Sequence, residues 1–129
     1  MDSRRYYDWY KKAKTDLRGA QILFEAEADN SLVAFHCQQA IEKMLKGYIL
    51  KNTKDLVDGH SLIYLIRRSS KFDESMRRFT KDCAFVNQFY IETRYPADIP
   101  DGVDEYEVCE CLDTANEVLG YIESTEEEQ

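Results

Sequence analysis

The stretch that decides the fold runs from Ser31 to Asn52 and reads SLVAFHCQQAIEKMLKGYILKN. Its apolar positions recur at steps of three and four, which is the period of one face of an α-helix: Val33, Cys37, Ala40, Met44 and Tyr48, widened by Ile41 and Leu45. The preceding residues 29–31, Asp-Asn-Ser, offer side chains for an N-cap. The sequence therefore predicts a long second helix that begins at this cap and ends near Asn52.

The same spacing continues on both sides of this segment. We predict a first helix from about Ser3 to Ala28, a short third helix capped by Ser61, a fourth that ends close to Arg94, and a fifth over the last third of the chain. The fourth must end there because Pro96 disfavours helical geometry at the residue before it. The predicted fold is all-α: an antiparallel, up-and-down bundle of four long helices and one short helix.

Composition is typical of one soluble domain. A chain of 129 residues fits a single domain over 1–129, and only five glycines and two prolines leave few turns. The longest apolar run is too short to span a membrane, and the N-terminus lacks a secretory signal, so we expect a cytoplasmic protein without a membrane partner. The four cysteines contain no Cys-x-x-Cys pair, so we expect reduced thiols, no metal site and no cofactor.

Charge is distributed unevenly along the chain. Residues 1–94 hold all 17 lysines and arginines against 13 acids, whereas residues 95–129 hold 12 acids and no base. One interpretation is a solvated acidic face on the last helix that ends in a frayed tail over residues 123–129. The other is that the basic part binds an anion while the acidic part keeps the chain soluble or shields the basic surface.

Three motifs in this order resemble the HEPN domain family. They are FHCQQAIEKMLKG at residues 35–47, HSL at residues 60–62 and FYIETRYP at residues 89–96. The resemblance implies a small helical bundle that commonly dimerises. The family includes metal-independent ribonucleases, toxin components encoded beside minimal nucleotidyltransferases, and members regarded as nucleotide-binding or noncatalytic. We accordingly expect a homodimer, with a minimal nucleotidyltransferase as a candidate protein partner.

The family's ribonuclease motif is an Arg followed, after four to six residues, by a His near the start of the last helix. Arg94 matches the Arg by its position after the fourth helix, but the three places for the His hold Ile99, Pro100 and Asp101. Metal-free RNA cleavage needs a base, an acid and a cation at the phosphate, and these three residues do not supply the missing groups. The departure favours a noncatalytic domain that binds a nucleotide or an RNA phosphate, without reading DNA sequence.

Two alternatives stay open. The first is a degenerate metal-independent ribonuclease in which His36 or His60 supplies the base and Arg94 binds the phosphate. The second is a purely structural interaction module.

The segment around Arg94 is the first candidate ligand site. Tyr90 and Arg94 lie one predicted helical turn apart, so that the ring would stack on a base while the guanidinium contacts a phosphate. Tyr95 follows directly, and Asp98 would hold Arg94 or bind a ribose hydroxyl. Alternatively, Arg94 links the end of the fourth helix to a carboxylate such as Asp98 or Glu92.

The second candidate is a polar line on the second helix. Four side chains fall within an arc of about 80° beside its apolar face: His36, Gln39, Lys43 and Lys46. Such a line is able to meet an anion. The alternative is that the lysines are solvated, that Glu42 pairs with Lys46 one turn away, and that His36 only supports the helix. His60, just before the Ser61 cap, is predicted to cap or pack.

Basic and aromatic clusters add two weaker signals. Six basic residues flank the connection between the third and fourth helices: Arg67, Arg68, Lys71, Arg77, Arg78 and Lys81. One interpretation is a patch that binds successive phosphates of a nucleic acid, and the alternative is a solvated basic face. In the run YYDWY at residues 6–10, Tyr7 and Trp9 cannot both point inward with Tyr6 and Tyr10. We therefore expect an aromatic interface at this end of the chain.

Overall fold

The computed structural model describes residues 1–90 and 102–127, and every regular element within those ranges is helical. In chain order these are α1 (Tyr6–Glu25), α2 (Asn30–Thr53), α3 (Leu62–Ser70), a 3-10 helix (Glu74–Phe79), α4 (Thr80–Asn87) and α5 (Glu105–Glu127). The predicted all-α bundle is confirmed.

Side-chain contacts define the directions of the long helices. Asp16 of α1 forms an ion pair with Lys43 of α2. Trp9, which is earlier in α1, contacts Lys46, which is later in α2, so the two helices are antiparallel. Hydrogen bonds from Gln21 to Asn116 and from Tyr6 to Glu126 show that α5 also runs antiparallel to α1.

The second helix is the centre of the core. It packs against α1, α3, α4 and α5, and most of its own side chains from Val33 to Leu50 are buried. Its contact with α1 is so close that a Cβ at Gly47 would lie 2.8 Å from Cδ1 of Tyr10 and 2.9 Å from Cβ of Trp9. Glycine is therefore required where α1 crosses α2.

The predicted caps form as expected. The Asp29 carboxylate accepts a hydrogen bond from the Ser31 amide at 2.8 Å, and the Ser61 hydroxyl accepts one from the Tyr64 amide at 3.2 Å. These bonds satisfy amide groups that have no partner within the helix. At its other end, α2 stops at Thr53 because Lys54 adopts a left-handed conformation, φ 68°.

The fourth helix differs from the prediction. Instead of one long helix, the chain forms the six-residue 3-10 helix and then α4, which ends at Asn87, before Tyr90. Tertiary contacts hold this arrangement: the Asp73 carboxylate, which caps the 3-10 helix, accepts hydrogen bonds at 2.6 Å from the hydroxyls of both Tyr48 and Tyr121.

The acidic end of the chain is helical as far as residue 127, within the range 123–129 where a frayed tail was one expectation, and residues 128–129 lie outside the described residues. Residues 123–127 belong to α5, and Glu126 accepts hydrogen bonds from Lys51 and Tyr6.

Three of the four cysteines are buried, and burial raises the pKa of the Cys83 and Cys111 thiols to about 12, so both stay protonated. Within the described ranges, no helix is long and apolar enough to cross a membrane, and no group of His, Cys, Asp and Glu side chains has the geometry of a metal site.

Candidate functional site

Three polar side chains one turn apart on α2 point into the core. The Lys46 ammonium lies 3.0 Å from one carboxylate oxygen of Glu42, and the Gln38 amide donates to the other at 3.3 Å. The side chains of Glu42 and Lys46 are only 4% and 8% exposed, and the Trp9 ring covers the ammonium at 5.9 Å. Burial of both charges is tolerated because each has an opposite charge beside it.

The same carboxylate holds His60, which precedes α3. Nδ1 of His60 lies 3.0 Å and 3.2 Å from the two carboxylate oxygens of Glu42, and the Gln38 amide donates to the His60 backbone carbonyl at 3.1 Å. An ionised carboxylate can only accept, so Nδ1 carries the hydrogen of this bond. The His60 side chain is 45% exposed. A buried anion thus orients a ring that reaches the solvent.

Three aromatic rings stack in series beside this network, and we call them the aromatic stack: Phe35, Tyr90 and His60. The His60 and Tyr90 rings lie 4.3 Å apart at an interplanar angle of 20°, and the Tyr90 and Phe35 rings lie 6.4 Å apart at 29°. Tyr90 is buried and Phe35 is half-buried, whereas His60 is exposed, so the open end of the stack is the ring of His60.

Tyr90 therefore has a different environment from the one that its spacing predicts. It follows the end of α4 and is already in stacking contact with two rings, whereas we expected its ring to stack on a base. Arg94, Tyr95 and Asp98, together with Glu92, lie outside the described residues.

The predicted polar line on α2 does not form one surface. Lys43 turns to α1, where its ammonium lies 2.5 Å from the Asp16 carboxylate, while Lys46 turns inward to Glu42 as in the alternative interpretation. Gln39 donates to the Gln38 side-chain oxygen at 2.8 Å. His36 is half-buried and meets the Phe35 ring edge-on at 5.6 Å.

Comparisons with known proteins agree with this architecture. The sequence profile of the HEPN domain family matches residues 6–125. The chain belongs to the HEPN domain family. The crystal structure of TT1696 from Thermus thermophilus is similar at 27% identity with a TM-score of 0.82, covering 95% of this chain and 98% of that one. The crystal structure of ST0689, an archaeal HEPN homologue, is similar at 25% identity with a TM-score of 0.74, covering 97% and 98%. Among curated protein sequences, no match is found.

Sequence reasoning did not include two residues of the candidate site in this HEPN domain, Gln38 and Glu42. Their signal was present, because Gln38, Glu42 and Lys46 are spaced by four and so follow one line of a helix that is otherwise apolar on that side. A polar line in such a position indicates a buried network. The spacing does not show that Glu42 binds His60, because His60 reaches Glu42 from a different segment of the chain.

Trp9 is the other residue that the structure places in the site. Of the two aromatic side chains that could not both point inward, Trp9 is buried and donates its indole hydrogen to the Ser3 carbonyl at 2.8 Å. Tyr7 stays 54% exposed, with the Arg5 guanidinium 5.5 Å from its ring centre.

Proposed function

We propose that this HEPN domain is a noncatalytic module that binds a nucleotide or an RNA strand, and that the exposed ring of His60 is the platform on which a base stacks. The observation that supports this is the aromatic stack itself, which ends in a solvent-exposed ring that is held from within the core. Stacking of a base on a protein ring contributes about 1–3 kcal/mol and tolerates any base.

The fixed orientation of His60 strengthens the proposal. Glu42 and Gln38 hold its ring and its backbone, so little side-chain freedom is lost when a ligand binds. Arg94, four residues after Tyr90 in the sequence, is the cation that we assign to the phosphate of the same ligand. The absence of the family's His from the positions after Arg94 supports binding without cleavage.

Equilibrium binding of a fluorescein-labelled mixed-sequence RNA, and of ATP, tests the platform. We expect His60→Ala to weaken binding by about 5- to 150-fold, the equivalent of one lost stacking contact, and His60→Phe to retain most of the affinity. His36→Ala is the matched control, because it removes the other histidine, whose ring contacts Phe35 at the opposite end of the aromatic stack from His60. Equal affinities for the wild type and His60→Ala would contradict the proposal, as would a wild type that binds neither ligand.

The proposal includes two protein contacts that the family resemblance supports, a second copy of the chain and a minimal nucleotidyltransferase. Light scattering at micromolar concentration tests the homodimer, and a monomer there contradicts it. Coexpression with a minimal nucleotidyltransferase, followed by purification through a tag on one chain, tests the second contact. Partner binding that persists in Arg94→Ala and His60→Ala while RNA binding is lost would show that the two surfaces are separate.

One observation favours a second candidate function, a metal-independent ribonuclease. In the neutral tautomer whose Nδ1 hydrogen is directed to Glu42, the lone pair of His60 is on Nε2, which is the atom that a general base uses. Cleavage of mixed-sequence RNA in excess chelator tests this candidate. Activity that is lost in both His60→Ala and His60→Phe, although His60→Phe still binds RNA, would establish an enzyme. No cleavage by the wild type rejects it.

A further inference from the structure

A groove with two arginines lies between α3 and the segment that follows it. Its volume is about 250 Å³, and six residues line it: Ile63, Ile66, Arg67, Ser70, Arg77 and Thr80. The isoleucines supply an apolar surface, while the guanidinium groups and hydroxyls supply only hydrogen-bond donors or neutral oxygens. No carboxylate lines this groove within the part of the chain that the structure describes.

The two arginines differ from their neighbours in the sequence. Arg68 is held by Asp55 at 2.9 Å and by the Tyr64 hydroxyl at 3.1 Å, and Arg78 covers the Tyr121 ring at 4.4 Å. Arg67 and Arg77 are exposed, and among residues 1–90 and 102–127 neither has a carboxylate within 4.0 Å. Both guanidinium groups therefore face the groove without a counter-charge from the described residues and are able to bind an external anion.

The groove and the platform are built on the same pair of helices. The Leu62 amide at the start of α3 donates to the Asn87 side chain at the end of α4 at 2.7 Å, and in the sequence His60 lies two residues before Leu62 and Tyr90 three residues after Asn87. Arg67 lies five residues after Leu62, which is about 7.5 Å along the axis at 1.5 Å per residue. A strand with a base on His60 would extend along α3 to bring further phosphates to the arginines.

We propose that the Arg67–Arg77 groove binds the phosphodiester backbone of a single-stranded oligonucleotide whose base stacks on His60. This inference rests on the proposed function and names its ligand class as an oligonucleotide rather than a mononucleotide, because the groove adds phosphate contacts beyond those at the platform. An acidic peptide would also satisfy two arginines, but the stacking ring beside the groove favours nucleic acid.

The test is the salt dependence of binding to a labelled 12-nucleotide RNA. Each phosphate contact of a single strand contributes about 0.7 to the slope of log K against log salt. The double variant Arg67→Gln/Arg77→Gln should reduce the magnitude of this slope by about 1.4, which corresponds to a roughly 60-fold loss of RNA affinity at 50 mM salt. The affinity for ATP should stay unchanged. Arg18→Gln removes one exposed arginine of α1 outside the groove, and as the control it should change RNA affinity less than twofold.

The outcomes separate this inference from the function on which it rests. RNA affinity of the double variant equal to that of Arg18→Gln, with His60→Ala still defective, would remove the groove and leave the platform. No effect of either His60→Ala or the double variant would remove both. A parallel loss of ATP binding would assign the groove to a mononucleotide, and polyglutamate binding as tight as RNA and equally dependent on the two arginines would assign it to an acidic protein; either result overturns the oligonucleotide assignment.

Discussion

Glu42→Gln should destabilise the fold strongly, although the substitution preserves the shape of the side chain. The change removes the negative charge from a position where the Lys46 ammonium, 3.0 Å away, is almost completely buried. The side-chain oxygen that remains can still accept hydrogen bonds from Gln38 and His60. The predicted loss therefore arises from the buried ammonium, which loses its counter-charge.

The magnitude follows from burial and chain length. Removing one partner of a buried ion pair costs about 3–5 kcal/mol. At about 2.1 cal/mol/K per residue, the unfolding entropy of 129 residues is about 0.27 kcal/mol/K near the midpoint. The melting temperature should therefore fall by about 11–18 °C. The double variant Glu42→Gln/Lys46→Met removes both charges and should recover most of this loss.

Thermal unfolding followed by circular dichroism measures these shifts. The control is Lys14→Met, which removes one partner of an exposed ion pair with Glu123 whose side chains are 54% and 44% exposed. Exposed pairs contribute about 0–1 kcal/mol, so the control should shift the melting temperature by less than about 4 °C. If Glu42→Gln shifts the melting temperature no more than Lys14→Met, or if the double variant is the least stable of the set, the reasoning from the buried charge is refuted.

Three further predictions concern the core. Gly47→Ala should lower the free energy of unfolding by about 1–3 kcal/mol, because the added Cβ overpacks the crossing of α1 and α2. Gly19→Ala, in open space on α1, should raise it by about 0.5–1 kcal/mol. Urea unfolding measures both values, and equal effects of the two variants would contradict the packing argument. Burial raises the pKa of Asp73, but the hydrogen bonds that it accepts from two tyrosine hydroxyls outweigh burial and the net pKa is lowered from 3.8. The stabilising effect of the ionised Asp73 carboxylate is therefore complete above pH 3.8 and is lost as the pH falls through the lowered pKa. The melting-temperature difference between the wild type and Asp73→Asn should therefore narrow below about pH 4. A difference that stays constant with pH would contradict this prediction. Tyr10→Phe should raise the melting temperature by about 4 °C, because within the described residues the Tyr10 hydroxyl is buried without a hydrogen-bond partner; a lower value would indicate a partner.

Local patterns predicted most of the fold. The second helix, its Asp29-to-Ser31 cap and the Ser61 cap depend on residues within one or two turns of each other, so they can be inferred from spacing alone. The division of the fourth helix could not be inferred, because the contacts that accompany it come from Tyr48 and Tyr121, which are distant in sequence from Asp73. Periodicity indicates a helical face but not a carboxylate held from outside it.

The site was predicted less completely, for the same physical reason. His60 and Tyr90 were both identified as candidates, but nothing in their spacing shows that their rings stack, because the contact joins residues 30 positions apart. Lys43 and Lys46 were assigned to one polar line. They lie about 60° apart around the helix, at 100° per residue, and this angle is enough to direct one towards Asp16 and the other beneath Trp9.

The position of the buried ion pair is better explained by the site than by stability. Replacing a buried pair with apolar side chains of similar volume is often neutral or stabilising, so stability alone gives Glu42 and Lys46 no advantage over leucine and methionine. An apolar residue in place of Glu42, however, would leave Nδ1 of His60 without the acceptor that orients the ring at the end of the aromatic stack. Lys46 then has a defined role, because its ammonium balances the charge of the buried carboxylate that accepts the hydrogen bond from His60. On this argument the pair serves the proposed binding platform, and its stability cost is the consequence of holding an exposed ring from within the bundle.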